Sequence, residues 1–63
     1  MEYRIRIEKR TDSEYHVECM TEQFSRVADV TFPDAWEAEE YAGRTAVAFK
    51  AAGHCVFVED PNY

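Results

Sequence analysis

A 63-residue chain with 46% hydrophobic and 14% aromatic residues is too apolar to stay disordered, and it is long enough for one small domain, 1–63. A formal net charge of −6 and a pI near 4.7 exclude a nucleic-acid binder built on a basic face and favour a protein partner with a basic surface. No apolar run approaches membrane-spanning length, and the N-terminus alternates charges instead of forming a signal peptide, so a cytoplasmic protein with no membrane role is expected.

Tyr3-Arg4-Ile5-Arg6-Ile7-Glu8 alternates apolar and charged residues, the period of a half-buried strand, and Tyr15-His16-Val17-Glu18-Cys19 does the same. Thr11-Asp12-Ser13 between them is turn chemistry. A three-residue loop there sets Ile7 opposite Val17 and Ile5 opposite Cys19. The same register opposes Arg6 to Glu18, Arg10 to Glu14 and Glu8 to His16. Slipping by one residue would turn every apolar side chain to the wrong face, so buried and charged pairs select a single register. Thr21-Glu22-Gln23 could open a short helix, but the alternation of Ala28, Val30 and Phe32 favours a third strand over 26–32.

Thr31 to Gly53 then reads as one amphipathic helix. Asp34 and Glu37 have the spacing of an N-cap and the third helical residue, Pro33 suits the approach, and Gly53 is placed to end the helix left-handed. Acids near the start and Lys50 near the end agree with the helix dipole. Ala38, Tyr41, Ala42, Thr45, Ala48, Phe49 and Ala52 share the side expected to be buried. Trp36, Gly43 and Val47, with Glu40 between them, point away. The C-terminal tail, Pro61 or Tyr63, could cover that line, or it could meet a partner, as an exposed Trp commonly does.

His54 to Glu59 is β-branched and aromatic, apolar on both faces, and stops at Asp60-Pro61-Asn62. The expected fold is therefore α+β, β-β-β-α-β, one helix on one face of a mainly antiparallel sheet. A right-handed crossover lays the last strand parallel to the first, in spatial order 4-1-2-3. That topology gathers Asp34, Glu37, Glu39, Glu40, Glu59 and Asp60 towards one end as an acidic pole. On the last strand either Cys55 and Phe57 or Val56 and Val58 turn away from the helix. The open sheet face would then hold apolar groups beside Met20, available to a second copy of the chain in a homodimer or to another partner.

Little in the chain promises reaction chemistry. His16, Cys19, His54 and Cys55 lie in strands at spacings that send them to opposite faces, so they do not form a zinc tetrahedron. Cys19 and Cys55 should flank the first strand about 9–10 Å apart, beyond disulfide range, which fits reduced thiols. Glu37, Glu39 and Glu40 read as a solvated helix start; there is no Gly-rich phosphate loop and no nucleophile motif. No catalytic residue, metal ligand or cofactor is expected.

The YRIRIEK hairpin, a third strand and VTFPDAWEAEEYA opening a single helix together resemble the small HicB-type antitoxin domain, where a charged-aliphatic hairpin precedes a T-x-x-E-A helix start. The likeness runs over roughly residues 3–48, with MTEQFSRVA standing where that family has a Pro/Gly-Cys segment. It implies a module that neutralises a small toxin. By type, not by motif, the chain is similar to small acidic phage-encoded inhibitors, anti-CRISPR proteins among them, many of which occupy a basic nucleic-acid-binding surface. The residues read as partner-binding are Asp34, Trp36, Glu37, Glu39, Glu40, Val47, Glu59 and Asp60.

Overall fold

In a computed structural model, residues 1–59 form β1 (Glu2–Thr11), β2 (Glu14–Thr21), β3 (Arg26–Phe32), α1 (Ala35–Ala51) and β4 (Cys55–Val58). The four strands make one sheet in the order β3-β2-β1-β4, with β1, β2 and β3 antiparallel and β4 parallel to β1. This is the β-β-β-α-β arrangement and strand order that the hydrophobic pattern implies.

Ile5 lies opposite Cys19 and Ile7 opposite Val17, while Ala28, Val30 and Phe32 of β3 continue the same face outward from β2. With every second side chain on one face, Ile5, Ile7, Tyr15, Val17 and Cys19 form the sheet half of the core. The helix supplies the other half. Asp34 Oδ1 accepts the Glu37 backbone N–H at 2.8 Å, the expected N-cap, and Gly53 ends the helix at φ +93°. A Cβ is strained at that φ, which is why glycine stands there.

The buried helical stripe is Ala38, Ala42 and Ala46, flanked by Ala35, Tyr41 and Phe49. Ala48 and Ala52, expected within it, are exposed. The stripe is turned towards Ala46 because two aromatic residues set its edge: Phe49 stacks on Tyr3 at 4.5 Å and Tyr41 tilts against Phe32 at 5.2 Å. Three alanines between those ring pairs let the helix axis come close to the sheet.

The hairpin also differs from expectation at its tip. Thr11 pairs with Glu14, so the turn is the two-residue Asp12-Ser13, and the irregularity between Lys9 and Thr11 takes Arg10 out of its expected place opposite Glu14. Arg6 does lie opposite Glu18 and Glu8 opposite His16, but these charges bond elsewhere. Side chains two along the same strand share a face and lie within reach of long charged groups, and Arg10 meets Glu8 at 3.7 Å and His16 meets Glu14 at 3.2 Å. β3 and the residue just after β4 provide the remaining partners: Glu59 for Arg6 at 3.2 Å, Asp29 for His16 at 3.3 Å and Arg26 for the buried Glu18 at 3.9 Å.

The β2–β3 connection is a compact loop. Thr21 Oγ1 accepts the backbone N–H groups of Gln23 and Ser25, at 3.3 and 3.2 Å, and Phe24 adopts φ +63° with its ring exposed. On β4, Val56 packs against the core, while Cys55 and Phe57 share the open face with Glu2 and Arg4. The Arg4 guanidinium lies 5.5 Å from the centre of the Phe57 ring.

Both thiols are free, Cys19 in the core and Cys55 exposed on the other side of the sheet. Burial pushes the Cys19 thiol above its ordinary value of 9.0. The folded chain then keeps a proton that the unfolded chain releases, so this contribution to stability is complete below about pH 9 and is lost as the pH rises further. At about pH 8 a thiol reagent should label Cys55 quickly and Cys19 only on unfolding. Quick labelling of both in native buffer would contradict the closed core.

Candidate protein-binding groove at the helix start

The residues that follow β3 create a concavity. Phe32 ends the strand, the chain turns through Pro33 and Asp34, and the first three turns of α1 rise beside it. Because residues three and four apart share a helix side, Trp36, Glu40 and Arg44 form one row and Glu37 and Tyr41 another. With Phe32 they line an open groove of about 480 Å³.

Its floor is aromatic. The Phe32 and Tyr41 rings, half-buried, lean together at an interplanar angle of 46°. Its rim combines the Trp36 indole, 72% exposed, with the carboxylates of Glu37 and Glu40. Arg44 spans from Glu40, with which it makes an i,i+4 ion pair. An exposed indole beside two carboxylates suits a partner that is both cationic and flat-sided.

Of the expected partner-binding residues, the structure brings together Trp36, Glu37 and Glu40. Asp34 stands just before the groove, but one carboxylate oxygen serves as the helix cap. Glu39 is exposed and does not line the groove. Val47, 68% exposed, lies three turns further along the helix, about 16 Å from Trp36. Glu59 belongs to the far side of the sheet, where it holds Arg6. Asp60, and the Pro61 or Tyr63 tail that could cover Trp36, lie outside the described residues.

Phe32, Tyr41 and Arg44 complete the groove without having been expected there. Helical spacing carries the signal, since Arg44 is four residues from Glu40 and eight from Trp36. Phe32 and Tyr41 read as core because each is an aromatic at a core-facing position, yet each is only half-buried and turns an edge to the groove.

No three or more His, Cys, Asp or Glu residues among those described are arranged to hold a metal ion. His16 and Cys19 lie on opposite sheet faces; His54 packs against Tyr3 and Phe49, whereas Cys55 faces the open side. No helix among the described residues is long and apolar enough to cross a membrane. No family model, curated protein or solved structure matches the chain.

Proposed function

We propose that the chain is a small, acidic, non-catalytic protein-binding module that occupies a basic surface of its partner, a surface of the kind that otherwise holds nucleic acid. On this reading it is an inhibitor of the phage or mobile-element type, anti-CRISPR proteins being one such class, and it acts in the cytoplasm. The observation that carries the reading is Trp36, an indole left 72% exposed at the rim of an aromatic groove flanked by Glu37 and Glu40. Large aromatic residues ringed by polar groups supply much of the affinity at protein interfaces, and a net charge of −6 speeds encounter with a cationic surface.

Capture of the partner from lysate at low and high ionic strength tests this. The complex should weaken with salt and with Glu37, Glu39 and Glu40 changed together to Gln, and the captured protein should lose its hold on nucleic acid. A complex indifferent to both salt and those substitutions rejects the reading.

A second reading, an antitoxin-like module that neutralises a small toxin in stoichiometric complex, draws support from the same β-hairpin, third strand and Asp34–Glu37 helix start that carry the HicB-type resemblance. It requires a small toxin encoded beside this chain, and a gene without such a neighbour argues against it.

A further inference from the structure

We propose that the groove is a receptor for a single arginine side chain of the partner, whose guanidinium lies over the Trp36 indole and is held by the carboxylates of Glu37 and Glu40. This deepens the partner-binding reading and rests on it. Three observations converge on the guanidinium as the occupant. The groove joins exposed aromatic surface to two carboxylates, a combination suited to a planar cation that can stack on a ring and fork its N–H groups onto oxygen at the same time. Glu40 already accepts a guanidinium, that of Arg44, within the same groove. Glu37, placed in the first helical turn by the Asp34 cap, makes no ion pair among the described residues.

Arg44 is the internal competitor. Its side chain is 79% exposed, and an exposed i,i+4 pair is weak and readily exchanged. A partner arginine would take its place at Glu40 and gain the Trp36 face as well, a contact that requires only a rotation of exposed side chains. Lysine fits less well: its compact ammonium is strongly hydrated and cannot lie flat on an indole while bridging two carboxylates.

Titration with a capped tri-arginine peptide, and separately with its tri-lysine counterpart of equal charge, tests the assignment. Trp36 is the only tryptophan, so its fluorescence reports the groove directly. Tri-arginine should give a saturable change at Trp36 and bind about fivefold or more tightly than tri-lysine. Glu37→Gln with Glu40→Gln should weaken it about tenfold. Arg44→Gln should tighten it about threefold by freeing Glu40, a change in excess of that from Lys50→Gln, which removes one positive charge outside the groove. Glu22→Gln, an exposed acid on the β2–β3 loop, serves as the matching loss of one acid outside the groove. Equal binding of the two peptides, no response at Trp36, or an effect of Glu22→Gln as large as that of Glu37→Gln alone would each overturn the proposal in favour of diffuse attraction. Far-UV circular dichroism of every variant confirms that the helix is retained. A salt-sensitive complex with a basic partner but no Trp36 response to tri-arginine rejects the arginine receptor alone. The tri-arginine response without any such complex rejects the partner reading alone.

Discussion

Ile5→Ala is expected to leave the chain largely unfolded at 25 °C. Ile5 is fully buried on β1, opposite Cys19 of β2 and paired on its other side with Val58 of β4, so its side chain packs where both neighbouring strands and the helix meet. Removing three carbons from such a site costs about 2–5 kcal/mol, the lost transfer energy plus the cavity left behind. A domain of this size rarely holds more than about 3–5 kcal/mol in total. The variant should therefore lose its cooperative urea transition, while Ile5→Val, at about 0.5–1.5 kcal/mol, should keep it with a lower midpoint. An Ile5→Ala midpoint equal to that of the parent would place the core elsewhere.

Ala38→Leu should be almost as damaging by the opposite route. Ala38 is fully buried under the helix, in the alanine stripe that sets the helix-to-sheet distance. Ala38 has no exposed surface through which three added carbons could escape, so either the helix lifts, loosening the Phe49–Tyr3 and Tyr41–Phe32 contacts, or the new side chain is forced off its preferred rotamer. Overpacking of this kind costs about 1–3 kcal/mol. The same substitution at Ala48, which is exposed, should shift the thermal midpoint little. Equal effects at the two positions would mean that the stripe faces another way.

The strands, the helix and their order were legible because two periods stand out cleanly, the two-residue alternation of β1 and β2 and the three-to-four spacing of the helix. The N-cap and the glycine stop were readable for the same reason, since each depends on local chemistry alone. What escaped was decided by contacts between elements. Ala46 lies on the buried side and Ala48 does not, because Phe49 and Tyr41 had already found ring partners on the sheet. The charge pairs went to Glu59, Arg26 and Asp29 because β3 and the end of β4 lie beside the hairpin, which opposition within the hairpin could not reveal. Of the groove, the exposed Trp36 and the acids around it could be read from the helical wheel. Its floor could not, since Phe32 and Tyr41 look like ordinary core residues until the turn at Pro33 sets them side by side.

The shortness of β4 bears on how copies of the molecule meet. Among the described residues it pairs with β1 only along Glu2–Ile5, although β1 continues to Thr11, so among those residues the latter half of that strand has a strand neighbour on one flank only. A bare strand flank is a template for runaway stacking between molecules. Along that stretch Glu8, Lys9 and Arg10 are charged and the β1–β2 ladder is irregular between Lys9 and Thr11, so an added strand would have to desolvate charged side chains and match a distorted backbone. Charge and an irregular backbone thus blunt the part of β1 that the four-residue β4 does not reach.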